Sequence, residues 1–200
     1  MTIKVNISSD PGAEAKAVSQ AIALRLKEYR KAQKLSLDQL SRRAGISKGM
    51  LVEMEKGLAN PSIAILCKVA AALGVSVADI VNVASSPAVH LIESENIPTL
   101  WTGPQGGSAR LLAGTSGTNM IELWRWEIQP GEVFESPGHP SGTVELFHVE
   151  QGVLTLKVGA GELAVSTGCS AVARTDVQHR YANQAALPLI FTMTVVELHP

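Results

Sequence analysis

The hydrophobic period changes partway along the chain, and this limits the possible folds more than any other feature. From about residue 17 to 82, apolar side chains recur at helical spacing: Ile22, Leu26 and Tyr29, then Leu37, Leu40 and Ala44, then Met50, Leu51 and Met54, then Ile63, Leu66, Val69, Ala70 and Leu73. After NVASSPAVH the period falls to two. Short alternating runs follow at 109–114, 119–128, 143–150, 153–158, 162–165, 170–173 and 187–198, separated by Gly, Pro, Asn and Asp. The chain is therefore multidomain, α then β: an N-terminal all-α unit of about five helices, then an all-β sandwich or barrel. The expected divisions are a flexible tail at 1–16, the helical unit at 17–83, a linker at 84–98 and the β unit at 99–200. Within the helical unit, Ser36, Ser47, Ser62 and Ser76 stand at N-cap positions, and Gly45, Gly57 and Gly74 at helix ends.

Charge divides along the same line. Residues 20–83 carry ten Lys/Arg against five Asp/Glu, and residues 84–200 carry five against eleven. A basic part joined to an acidic part points to a polyanion partner for the first alone. A hydrophobic share of 46% with 18% charged residues excludes a disordered chain. No apolar run approaches ~20 residues, so no membrane span is expected. The N-terminus lacks the apolar core of a signal peptide, and the expected compartment is the cytoplasm. The two isolated cysteines make no disulfide framework, and Cys67, in IAILCKVAAALG, reads as a small buried apolar residue.

The stretch LSLDQLSRRAGISKGMLVEMEKGLANPS holds two short helices around a tight turn at Gly45, the second beginning after Ser47. This is helix-turn-helix geometry, in which the second helix enters the major groove of DNA. Met50, Leu51 and Met54 are expected to face the core, leaving Lys48, Gly49, Val52, Glu53 and Lys56 outward. Lysine can donate to guanine and glutamate can accept from cytosine, while Gly49 lets the backbone approach. Residues 22–81 resemble the phage-repressor (Cro/Xre) helix-turn-helix family through Leu40, Ala44-Gly45-Ile46-Ser47, Glu55-Lys56-Gly57, Pro61-Ser62 and Ala71-x-Leu73-Gly74-Val75. The resemblance implies that Ser47 caps the recognition helix, that Lys48, Gly49, Val52 and Glu53 read bases, and that Lys56 and Asn60 touch phosphate. Leu37 departs from the family, where glutamine is common.

In the β half, PGEVFESPGHPSGTVELFHVEQG brings His139 and Glu145 between Gly131 and Gly152, and HRYAN adds His179 and Asn183. Two histidines and a carboxylate suit zinc first and ferrous iron second. Each residue also has a plain alternative: His139 as a turn residue, Glu145 as a polar group at a barrel mouth, His179 as a hydrogen-bonded core histidine. Residues 105–197 resemble the cupin superfamily, with Pro137 where the first motif has its first histidine, Ser166 where proline is usual and Cys169 where aspartate is common. The resemblance implies a jelly-roll barrel with His139, Glu145 and His179 as metal ligands. Trp124 and Trp126 share one strand face, and with Phe147 they are the candidate ligand-pocket wall; core packing is the competing role. His148 points away from Glu145, toward the surface or a subunit interface. No further pocket carboxylate is identified.

A helix-turn-helix followed by a cupin resembles bacterial transcriptional regulators with a sensing barrel. The expected function is sequence-specific DNA binding as a homodimer, controlled by a small-molecule effector and a divalent metal, with no catalytic residue assigned. The alternative is a metal-dependent cupin enzyme, an oxygenase or isomerase, fused to a DNA-targeting domain. A third reading uses the barrel for dimerisation alone.

Overall fold

A computed structural model of the protein describes residues 11–59, 61–81, 89–117 and 119–198, with side chains from residue 19 onward. The helical half comprises α1 (Pro11–Ala32), α2 (Leu37–Ala44), α3 (Lys48–Glu55), α4 (Ile63–Leu73) and α5 (Val77–Ile80). Ser36, Ser47, Ser62 and Ser76 each accept the backbone amide three residues on, which explains where α2 to α5 begin. Gly45 and Gly74 close α2 and α4 with φ of 61° and 65°, a conformation that a side chain would strain. Helix α1 begins at Pro11, inside the segment expected to be a tail, and proline suits a first helical turn. Residues 1–10 and 82–88, the latter covering the last two positions of the expected helical unit and the first five of the expected linker, lie outside the described residues.

Leu26, Leu40, Leu51, Leu66 and Val69 make a dry core under these helices. Met50 is not part of it: it is 36% exposed in the first turn of α3, about 100° round the helix from Leu51, although only about 40° from Met54. A partly buried ion pair fixes the end of α3. Arg30 on α1 donates from Nε and Nη2 to the two Glu55 oxygens, at 2.5 and 2.8 Å, and from Nη1 to the Leu35 carbonyl.

The β half is a two-sheet barrel. Its strands are β1 (Thr99–Thr102), β2 (Ser108–Gly114), β3 (Met120–Ile128), β4 (Val133–Ser136), β5 (Val144–Gln151), β6 (Val153–Val158), β7 (Gly161–Ser166), β8 (Ser170–Arg174), β9 (His179–Ala182) and β10 (Leu189–Glu197). One sheet has the order β1-β2-β3-β10-β5-β8, the other β4-β9-β6-β7. The seven expected strands are present, their ends within two residues of expectation; β1, β4 and β9 are additional. Aromatic rings fill the space between the sheets, with Trp126 stacked parallel on Phe191 and edge-on to Tyr181. Gly152 is required at its turn: a Cβ there would meet the Pro188 carbonyl at 2.8 Å, at a φ of 82°. Glu132, next to Gly131, is buried and accepts from the amides of Gln105, Gly107 and Gln129, so the carboxylate of the Gly-Glu pair organises loops.

The two halves meet directly. Helix α5 seats on β2, where Gly114 faces Ala78 so closely that a Cβ at Gly114 would lie 2.4 Å from that of Ala78. Asp79 caps α5 through Ser76 and also accepts the Gly117 amide of the β2–β3 turn at 3.0 Å. No helix among the described residues is long and apolar enough to cross a membrane.

Candidate functional site

On the helical half, α3 presents its N-terminus to solvent. Ser47 Oγ accepts the Met50 amide at 3.1 Å, which leaves the first turn well formed. Lys48, Gly49, Glu53 and Lys56 are exposed and Val52 is half-buried. Glu53 and Lys56 pair with each other at 3.6 Å across one turn, a weak surface contact that DNA could replace. Leu37 is half-buried against the core. Asn60 lies outside the described residues.

In the barrel, folding brings together three residues spread over 41 positions of sequence. His139 is in the loop after β4, held by its amide, which donates to the Thr175 carbonyl at 2.9 Å. Glu145 is on β5, fully buried. His179 opens β9, which lies between β4 and β6. Their ligand atoms lie within 4.8 Å of one another. His139 Nε2 is 3.1 Å and His179 Nε2 3.7 Å from Glu145 Oε1.

The surrounding bonds leave the right atoms free for a metal. His179 Nδ1 donates to the Val177 carbonyl at 2.8 Å, so the Nε2 lone pair points inward. Tyr181 Oη donates to Glu145 Oε2 at 2.6 Å, leaving Oε1. Glu145 Oε1 and His179 Nε2 are buried without a hydrogen-bond partner. Orphaned buried acceptors of these types fit a divalent cation. The two histidines are tuned in opposite directions. Burial works against charging His139, but the adjacent Glu145 carboxylate outweighs it and raises its pKa. For His179 burial prevails and lowers the pKa, which keeps it neutral, as a ligand must be.

His139 and Glu145 open onto a cavity of about 380 Å³, within the range of small-molecule sites. Trp124 and Trp126 line it, together with Phe134. Phe147 does not: it is buried against Tyr181 and Phe191 in the aromatic core. His148 faces outward beside Ser170. Asn183 is structural, its amide donating to the Ile128 and Leu187 carbonyls.

Two features of the cavity were not expected from sequence. One wall is α4 of the helical half, through Ile63, Ala64, Cys67, Lys68 and Ala71. Cys67 is thus half-buried on the cavity rather than in the helical core, and its thiol is held protonated by burial and by nearby carboxylates. The other is a pair of further carboxylates, Glu122 and Glu197, on the lining. The signal for both was available, since Glu122 is in phase with Trp124 and Trp126, and Glu197 with Met193 and Val195.

The helix-turn-helix family HTH_3 matches residues 26–80. The cupin-domain family Cupin_2 matches residues 124–196. The chain joins an HTH_3 helix-turn-helix domain to a Cupin_2 domain. It is similar to the HTH-type transcriptional regulator SutR of Escherichia coli (strain K12), 24% identical over 166 residues that cover 83% of this chain and 89% of SutR. Its helical part is similar to the HTH-type transcriptional regulator SinR of Bacillus licheniformis, 45% identical over 62 residues, 30% of this chain and 56% of SinR. Among solved structures, an HTH_3 family transcriptional regulator from Vibrio cholerae covers 92% of this chain and 99% of its own, with a TM-score of 0.66 at 24% identity, which establishes a shared fold.

Proposed function

We propose that this chain is a DNA-binding transcriptional regulator that works as a homodimer, and that its barrel cavity binds a small-molecule effector beside a divalent metal. The observation that carries the reading is the shared wall: the domain that presents a capped, exposed recognition helix also closes the cavity. The basic balance of residues 20–83 and the names of the similar proteins support the DNA half. His139, Glu145 and His179 would hold the metal, zinc first and ferrous iron second by donor type. Bound there, it would offer an open coordination position to oxygen or nitrogen atoms of the effector. An effector changes DNA affinity only if it binds two arrangements of the dimer unequally.

The outer face of the larger sheet supports the homodimer. Leu123, Leu146 and Val172 are exposed and fall in one cross-strand row, with Ile121 nearby. A second copy laid on this face would bury the stripe and set two recognition helices on half-sites ~34 Å apart.

Two measurements test the reading. DNA affinity should fall steeply with salt, and Lys48→Ala should cost about 1–3 kcal/mol on the preferred site and relax one base pair of the specificity. An equal loss on random DNA would make Lys48 a phosphate contact. His179→Ala should abolish metal uptake, read by elemental analysis, while DNA binding by anisotropy persists; a variant that keeps its metal makes His179 a core residue.

The enzyme reading also gains an observation, because Glu122 supplies the extra cavity carboxylate that a general base requires. Oxygen consumption or product formation by the ferrous-loaded chain would favour it; silence across candidate substrates alongside an effector-dependent change in DNA affinity favours the regulator.

A further inference from the structure

The cavity has a second polar end that the metal ligands do not use. Glu145, Val195 and Glu122 stand in one cross-strand row on β5, β10 and β3. Residues directly opposite share a sheet face, and strands lie ~4.8 Å apart, so Glu122 stands on the inner face about 10 Å across the sheet from Glu145. Glu197, two residues beyond Val195 on β10, shares that face. Glu122 is 2% exposed. Its Oε2 accepts the Trp124 indole N–H at 3.0 Å, while Oε1 is buried with no hydrogen-bond partner. Glu122 lines the cavity, and a desolvated carboxylate is stabilised by a donor bound there.

Val195 stands between the two carboxylates, and beside that row the wall is aromatic: Trp124, Trp126 and Phe134. Lys68, on α4 at the exposed rim, brings an ammonium to the lining, where solvent screens it. Glu122 and Glu197 add two carboxylates to the lining beyond the metal set, groups suited to a cationic ligand atom.

We propose that the cavity binds a small organic amine, its ammonium group held by Glu122 and Glu197 and its other end by chelating atoms at the His139–Glu145–His179 centre. This rests on the effector reading above and gives the effector a chemical class. Spanning ~10 Å beneath Cys67 and Lys68, such a molecule touches the barrel and α4 together, so occupancy and the setting of the helical domain are coupled through one contact.

The test uses the full chain, zinc-loaded, titrated calorimetrically with L-lysine, L-norleucine and L-glutamate. These share a chelating amino-carboxylate end and differ in the charge of the tail. L-lysine should bind at least about tenfold more tightly than L-norleucine, and L-glutamate more weakly than either. Glu122→Gln should reduce the lysine preference to within about threefold and leave norleucine unchanged, and Glu197→Gln serves the same purpose if the first variant misfolds. Equal binding of lysine and norleucine, binding of none of the three, or an equal loss of all three in Glu122→Gln overturns the amine assignment. Zinc content is measured separately. A chain that takes up zinc without preferring lysine retains the metal centre and loses the amine proposal, whereas a chain that takes up no zinc overturns the metal reading even if lysine is preferred.

Discussion

Burial pushes Glu122 up to about 7, from 4.5 for an ordinary glutamate; the Trp124 hydrogen bond, the Ala78 backbone amide and the charge of His139 oppose the shift, and Glu197 adds to it. The sign for stability follows. In the unfolded chain the proton leaves near 4.5, in the folded protein near 7, so between these values the folded state holds a proton that the unfolded state has lost. Stability contributed by this residue therefore falls as pH rises through that window, and the penalty is complete above it. Glu122→Gln keeps the shape and removes the charge. It should stabilise the metal-free protein by about 2–3 kcal/mol at pH 8 and change little at pH 4.5, read from denaturant unfolding at both values. A variant no more stable than the parent at pH 8 would mean that the charged form is well solvated or paired. At this scale the convergence of His139, Glu145 and His179 was legible, because imidazoles and a carboxylate in two neighbouring motifs stand out among apolar strands. Glu122 and Glu197 were missed because a carboxylate in a strand reads as solvent-facing unless the phase of the whole strand is followed.

Among the elements, the boundaries that rest on local chemistry were legible and those that rest on distant pairing were not. Serine caps and left-handed glycines are set within four residues of chain, so α2 to α5 could be read directly. Strands β1, β4 and β9 have four residues each, too few to display a period of two, and they exist because neighbours hold them. Yet β9 sets His179 opposite Ser136 of β4 and Val158 of β6, so the site depends on a strand that sequence patterning did not reveal. The recognition helix gives the prediction at this scale. Ser47→Ala removes the acceptor for the Met50 amide and should cost about 1 kcal/mol of stability in the helical half. Because the lost bond is in the turn that carries Lys48 and Gly49, DNA affinity should fall while zinc content and barrel folding, read by tryptophan fluorescence, stay as they are. A loss of metal in this variant would show that the cap acts on the barrel as well.

For the whole molecule, the division into two units was plain from the change of period, but the way they face each other was not. The contact is made by small residues, Ala78 and Gly114, which carry no pattern of their own, and by α4, whose second apolar face reads from sequence as ordinary core. If the seat of α5 on β2 holds α4 over the cavity, then displacing α5 should open it. Gly114→Val is suited to this, because valine is favoured in a strand while its Cβ would lie 2.4 Å from that of Ala78, a clash relieved only by moving the helix. Cys67 reports the movement. Burial first, then Glu122, Glu197 and Glu145, raise its thiol well above the ordinary range and suppress the reactive thiolate. Once α4 lifts, that suppression should relax, and each unit of pKa recovered is tenfold in thiolate. At pH 8 maleimide labelling of Cys67 in Gly114→Val should therefore be faster than in the parent by about tenfold or more. Cys169, exposed in the turn between β7 and β8, is an internal standard whose rate should not change. Ala78→Gly added to Gly114→Val removes the clashing methyl and should restore slow labelling. If Cys67 reacts at the parental rate in Gly114→Val, the α5 seat does not control the roof of the cavity, and any effector must reach the DNA-binding half by another contact.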